Sequence, residues 1–140
     1  MGALDVSAND LINRVAQDLK TNYSTLIVSP EWVAFVKSSA ANERVPSEPD
    51  FFFKRCASIL LTSYKRGTIG VQRLRRKYGG RTQHIVRRSH HKKAGGKVIR
   101  VALQQLEKAG LMNKEKAGRS ISAKGKSLLD KASTKVQKGE

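Results

Sequence analysis

A chain of 140 residues with a formal net charge of +17, from 28 Lys and Arg against 11 Asp and Glu, has the length of one domain. Hydrophobic residues make up 39% of it, which is too many for a disordered chain. No apolar run approaches the roughly 18 residues of a membrane-spanning helix, the first residues are polar, and the single cysteine excludes an internal disulfide. These features predict one folded domain over residues 1–140 in the cytosol or nucleus, with frayed ends at about 1–7 and 137–140.

Two helices are predicted in the first third of the chain. The first follows Ser7, where apolar residues recur at helical spacing, namely Leu11, Ile12, Val15 and Leu19. The second begins at Ser29-Pro30-Glu31, an order of cap, proline and acidic residue that is typical of helix starts. Its apolar body comprises Trp32, Val33, Phe35 and Val36. Residues 42–50 contain two prolines and predict a loop that ends on a helix cap, Asp50.

The most apolar segment, residues 51–66, predicts the central helix of a bundle, because apolar side chains occupy most of its circumference. Five of its polar residues fall at spacings of mostly three to four and so predict one narrow stripe along the helix. They are Arg55, Ser58, Thr62, Lys65 and Arg66. We expect this stripe to reach a phosphate group of a ligand.

Glycines divide the next part of the chain. Gly67 and Gly70 end the central helix, and residues 71–78 predict a short helix that stops at Gly79 and Gly80. Residues 81–96 hold few large apolar side chains, which predicts an exposed basic loop.

Residues 97–109 predict a further amphipathic helix with Gly110 as its C-cap. Residues 111–122 then predict a β-hairpin around a glycine turn. Ser122 is expected to cap a last helix. The order of helix, helix, helix and hairpin predicts a mostly α fold: a helical bundle around a central helix, winged-helix-like, with a small β-hairpin.

The positive charge is concentrated in residues 51–106, which contain fifteen Lys and Arg and no Asp or Glu. Ordinary solvated faces mix Glu with Lys, so this stretch predicts a polyanionic partner. Because its basic residues are spread over several helices and a loop, RNA is favoured as that partner. The residues predicted to bind it are Arg55, Arg66, Arg73, Arg75, Arg76, Lys77, Arg81, Arg87, Arg88, His90, Lys92, Lys93, Lys97 and Arg100.

Other function classes fit the residues less well. A membrane surface would favour an amphipathic basic helix with bulky apolar residues opposite, or a lipidation signal, and neither is clear. Enzymes that act on polyanions need carboxylates, which the basic stretch lacks, so no catalytic residue is assigned. His84, His90 and His91 have no Cys or carboxylate at ligand spacing, so no metal, cofactor or small-molecule substrate is expected.

Four blocks of the chain resemble small-subunit ribosomal protein nineteen of the eukaryotic and archaeal type. They are VSPEWV at 28–33, DFFFKRCAS at 50–58, YKRG at 64–67 with YGGR at 78–81, and ALQQLE at 102–107 with Gly118, Arg119 and Ser122. The resemblance implies a mostly helical fold with winged-helix character, a place in the head of the small ribosomal subunit, rRNA binding, and a role in pre-rRNA maturation and subunit assembly. By position, Arg55, Arg66 and Arg81 match basic residues of that family.

The chain also departs from the family pattern. Phe51 stands where the family usually has Trp, His84-Ile85 replaces Asn-Gly, and Arg88 replaces Pro. The path of the basic loop is therefore expected to differ. His90 keeps the family's place.

Two function classes stay open at this point. The first is a structural ribosomal protein, with small-subunit rRNA and neighbouring proteins of the subunit head as partners, located in the cytoplasm with a nucleolar assembly phase in a eukaryote. The second is a free winged-helix DNA-binding regulator, which would concentrate its base-reading side chains on one helix and the wing. Under the first, Arg55 and Arg66 clamp phosphates, and Ala at either position should leave folding intact.

Overall fold

The computed structural model describes residues 2–82 and 86–139. Within them lie five α-helices: α1 (Ala8–Asn22), α2 (Phe51–Arg66), α3 (Val71–Tyr78), α4 (Gly96–Lys108) and α5 (Ala123–Lys138). Two antiparallel hairpins pair β1 (Gly80–Thr82) with β2 (His90–Lys92), and β3 (Met112–Glu115) with β4 (Gly118–Ile121). Two short 3-10 helices cover Ala3–Asp5 and Glu31–Phe35. The mostly α fold is confirmed.

Helix α2 is the centre of the bundle, as its apolar circumference predicted. It packs against α1, α4, α5 and strand β4. Phe52, Cys56, Ile59 and Leu60 are fully buried along it. Burial also raises the pKa of the Cys56 thiol, so this side chain acts as a small apolar group in the core.

The second hairpin forms the wing and is joined to the rest of the domain at two points. Ile69, in the turn after α2, exchanges two backbone hydrogen bonds of 2.8 Å with Arg119 of β4. The Arg119 Nε also lies 3.1 Å from a Glu107 carboxylate oxygen on α4. The helices α2, α3 and α4 followed by this hairpin give the chain its winged-helix-like character.

The last helix is capped as the sequence predicts. The Ser122 hydroxyl accepts a hydrogen bond of 3.2 Å from the Gly125 amide and donates one of 2.7 Å to the Gly110 carbonyl. At the other end of the chain, Ala3 is buried, and its amide donates to an Asp130 carboxylate oxygen on α5 at 3.1 Å. The single-domain boundaries and the fraying of the ends stay predictions.

The predicted second helix is wrong. Residues 31–35 form only a 3-10 helix, and the chain becomes extended at Val36. Of the four apolar residues assigned to that helix, only Val33 is fully in the core, whereas Phe35 is 82% exposed. Aromatic and β-branched residues have modest helix propensity, so without a buried face there is little to stabilise further turns.

The prediction of a plain loop over residues 81–96 is also wrong. Gly80, Arg81 and Thr82 pair with Lys92, His91 and His90 in a short ribbon, called here the basic ribbon (residues 80–82 and 86–92). All three residues of β2 are exposed, so the apolar alternation that marks a strand in a sequence is absent. His84 and Ile85 of the predicted loop lie outside the described residues.

Candidate nucleic-acid interface

Helix α3 presents a basic stripe because its apolar residues are few and lie on one side. Leu74 is 1% exposed and Val71 packs against the core. Arg73, Arg76 and Lys77, which follow at spacings of three and four, are exposed on the other side. The helix thus holds three of the predicted RNA-binding residues at its surface.

Arg75 has a different position on the same helix. It is half-buried, and its Nε donates a hydrogen bond of 2.8 Å to the Ala94 carbonyl. The Ala94 amide in turn donates to the Arg75 carbonyl at 2.9 Å, and Ala94 itself is buried. Arg75 therefore anchors the base of the basic ribbon to α3.

Arg55 lies between two aromatic rings. Its guanidinium carbon is 3.8 Å from the ring centre of Tyr78 and 5.0 Å from that of Phe51. The Tyr78 hydroxyl donates a hydrogen bond of 2.7 Å to Ser58 Oγ. Burial lowers the pKa of Arg55, and the interaction with Tyr78 opposes this shift. The stacked guanidinium fastens the end of α3 to α2.

The polar stripe predicted on α2 is real but largely covered by α3. Thr62 is only 3% exposed; its hydroxyl donates to the Ser58 carbonyl at 2.8 Å and accepts a hydrogen bond from the Lys77 ammonium. Lys65 and Arg66, at the end of the stripe, are exposed. The accessible part of the stripe is therefore its last turn, beside α3.

Like charges crowd where α2 ends against α3. The pKa of Lys77 is lowered, first by burial and then by the charges of Arg66, Lys65 and Arg55. Repulsion of this kind costs stability in the free protein, and a bound polyanion would relieve it.

The remaining predicted residues lie on the basic ribbon, on α4 and, for Lys93, between the two. All of these side chains are exposed: Arg81, Arg87, Arg88, His90, Lys92, Lys93, Lys97 and Arg100. The Lys93 ammonium is 3.4 Å from the Gln72 amide oxygen of α3. The Lys97 ammonium lies 4.7 Å from the Trp32 ring centre, and Gly96 packs on the Arg75 side chain. The start of α4 is thereby held next to α3, and Arg100 follows one turn further.

The basic residues of this surface lack acidic partners. Among the described residues, Lys54 alone of the fifteen Lys and Arg between positions 51 and 106 forms an ion pair, with Glu48 at 2.6 Å. Within residues 2–82 and 86–139, no His, Cys, Asp and Glu side chains cluster in a way that could hold a metal ion. No helix in these ranges is long and apolar enough to span a membrane.

Two basic residues outside the stretch join this region through tertiary contacts. Lys37 and Arg44 line one cleft together with Arg81 and Thr82 of β1. Their segment of the chain is mixed in charge and contains Glu43, so its sequence gives no local signal of a basic surface. Only the pairing of residues 38 and 39 with residues 94 and 95 brings it beside the ribbon.

The structure changes the expectation for Arg55. We now expect Arg55→Ala to lower the free energy of unfolding by about 1–2 kcal/mol, because a stacked and partly desolvated guanidinium is lost. Arg66→Ala, at an exposed position, should change it by less than about 0.5 kcal/mol. Denaturant unfolding measures the free energy of unfolding of both variants. Arg55→Lys tests whether a positive charge alone preserves stability, since an ammonium group cannot stack on the rings as a planar guanidinium does. An Arg55→Ala variant as stable as the wild type would contradict this role.

The fold and surface described above define a class of protein: a winged-helix-like domain whose basic surface is formed mainly by a stretch of sequence without carboxylates. Comparison with known proteins then gives the family. The family model for Ribosomal protein S19e matches residues 2–139. The chain belongs to this family, whose members are structural ribosomal proteins and not enzymes.

Individual relatives agree with the family match. The chain is 43% identical over 138 residues to the small ribosomal subunit protein eS19 of Aeropyrum pernix, which covers 97% of this chain and 90% of that protein. It is 40% identical over 134 residues to the protein of the same name from Entamoeba histolytica, and this match covers 96% of this chain and 85% of the relative. It is 37% identical over 133 residues to the protein of the same name from Thermoplasma volcanium, and this match covers 95% of this chain and 87% of the relative. The similarity thus extends over archaeal and eukaryotic relatives and nearly the whole chain.

Proposed function

We propose that this protein is a structural constituent of the small ribosomal subunit that binds rRNA in the subunit head and supports pre-rRNA maturation and subunit assembly. Its partners are small-subunit rRNA and neighbouring ribosomal proteins of the head. It acts in the cytoplasm on the ribosome, with a nucleolar assembly phase if the source is a eukaryote. A free DNA-binding regulator is not favoured, because family members are ribosomal proteins.

The observation that supports RNA binding is the unpaired charge of one continuous region. Exposed basic side chains occupy the last turn of α2, the outer face of α3, the basic ribbon and the first turns of α4. The spacing of these elements is fixed because α3 packs on α4 and its Tyr78 binds Arg55 and Ser58 of α2. Such a surface binds several phosphate groups along an irregular backbone, as folded RNA presents them.

A charge-removal experiment tests this proposal. The triple variant Arg66→Ala/Arg73→Ala/Arg76→Ala removes three exposed cations without touching the core. We expect it to melt within a few degrees of the wild type but to lose co-sedimentation with small subunits at moderate salt. Binding to an rRNA fragment should also weaken. The slope of log affinity against log salt concentration should become shallower, by the amount expected for the loss of about two to three phosphate contacts.

The matched control removes the same number of charges from α5. Lys126, Lys131 and Lys138 are exposed there and lie outside the basic stretch. We expect their triple alanine variant to enter subunits normally. If both triple variants lose co-sedimentation with small subunits equally, then total net charge matters and the position of the charges does not. Absence of the wild-type protein from small subunits would overturn the proposal itself.

A further inference from the structure

A cleft beside the basic ribbon is the strongest candidate for a specific site. It has a volume of about 650 Å³ and lies between residues 37–44 and strand β1. Lys37, Arg44 and Arg81 contribute cations to it, and Asn42 and Thr82 contribute polar groups. Ligand pockets in proteins have volumes of about 300–1,000 Å³. The cleft is therefore large enough for one small polar ligand.

The walls of this cleft are fixed by hydrogen bonds and burial. Ser39 is 3% exposed and forms a β-bridge with Ala94. The Gly95 amide donates to the Ser38 carbonyl at 2.9 Å, and the Asn42 side-chain amide donates to Ser38 Oγ at 2.6 Å. The segment that carries Lys37 and Arg44 is thus tied to the base of the ribbon that carries Arg81. The three basic residues line one cleft as a consequence of this tie.

The three cations of the cleft and one of its hydroxyl groups lack partners among the described residues. None of its three cations lies within ion-pair distance of a carboxylate among the described residues, although Glu43 also lines the cleft. The Thr82 hydroxyl is buried and has no hydrogen-bond partner in the same part of the chain. A buried hydroxyl without a partner costs stability, and a bound polar ligand that bonds to it removes that cost.

We propose that this cleft binds a single nucleotide extruded from RNA. Arg44, Arg81 and Lys37 hold its phosphate group, since guanidinium groups bind phosphate in a bidentate manner and an ammonium adds a point charge. The Thr82 hydroxyl bonds to the sugar or the base of the same nucleotide. Proteins recognise RNA sequence mainly at loops and bulges whose bases leave the stack, whereas a paired and stacked nucleotide cannot enter a cleft of this kind with its base. This inference rests on the proposed RNA binding and adds the form of RNA recognised.

Two RNA probes separate the cleft from the general basic surface. One is a short single-stranded RNA oligonucleotide, and the other is the duplex that it forms with its complement. The double variant Lys37→Ala/Arg44→Ala should bind the single strand roughly tenfold or more weakly, because charge-assisted hydrogen bonds are lost, and the duplex with little change. Lys126→Ala/Lys131→Ala on α5, the control with the same charge removed, should bind both probes as the wild type does.

A substitution without charge tests the hydroxyl. Thr82→Val keeps the branched shape suited to a strand and removes only the hydrogen-bonding group. We expect single-strand affinity to fall roughly two- to tenfold and duplex affinity to be retained. The melting temperature should stay the same or rise slightly, because the variant loses a buried hydroxyl without a partner. Unchanged single-strand affinity in both the double variant and Thr82→Val overturns the cleft proposal, as does equal weakening for single strand and duplex. If the wild-type protein binds neither probe and is absent from small subunits, the proposed RNA binding fails as well.

Discussion

Gly118→Ala should destabilise the domain by about 3 kcal/mol or more and lower its melting temperature by roughly 10 °C. Gly118 opens strand β4 with a φ of 145°, a conformation that L side chains rarely adopt. A Cβ there would also overlap the Ile69 carbonyl, whose carbon would lie 2.9 Å away. Relief of that overlap requires β4 to move away from the turn after α2, which breaks the two hydrogen bonds between Ile69 and Arg119. Thermal unfolding followed by circular dichroism measures the loss.

A second glycine with a positive φ, but with open space around it, serves as the comparison. Gly110 also has a positive φ, 79°, but a Cβ there would meet nothing within 4 Å. Gly110→Ala should therefore cost only the conformational strain, about 1–2 kcal/mol. The difference between the two variants measures the steric contact between wing and helix turn together with the greater backbone strain at a φ of 145°. Equal costs would contradict the close approach at Ile69.

Gly79→Ala should displace the basic ribbon and leave the core folded. Gly79 has a φ of −72°, which any residue adopts, but a Cβ there would overlap the Lys92 carbonyl oxygen and lie 3.0 Å from the His91 ring. The ribbon carries none of the large buried side chains, so we expect a global destabilisation of only about 1 kcal/mol. Hydrogen exchange should show lost protection at residues 80–82 and 90–92, and incorporation into small subunits should fall several-fold.

Gly70→Ala is the control at the other end of the same helix. Gly70 is the N-cap of α3 with a φ of −124°, and a Cβ there would meet nothing within 4 Å. Its substitution should leave ribbon protection and incorporation as in the wild type. If the amides of the basic ribbon stay protected from hydrogen exchange in Gly79→Ala, the ribbon tolerates a side chain at this contact and our expectation is wrong.

Local patterns located most elements, and tertiary contacts explain the exceptions. The apolar segment of α2 and the glycine turn of the wing are strong local signals, and both elements occur where they were expected. The segment Glu31–Phe35 has good start signals, but helix length depends on a buried face, which only the folded neighbours provide. The basic ribbon pairs through its backbone and exposes its side chains, so nothing in its residue types marks the pairing.

Composition and periodicity are properties of short segments, so they were enough to predict the mostly α fold, the central helix and the concentration of basic residues. How those basic residues divide into structural and exposed groups depends on tertiary contacts. Arg55 is held between aromatic rings and Arg75 binds the Ala94 carbonyl, whereas Arg73, Arg76 and Arg66 remain exposed. Tertiary contacts also bring Lys37 and Arg44 to Arg81. Stacking, anchoring and clefts arise from contacts between residues far apart in the chain, and such distances are not encoded in any local pattern.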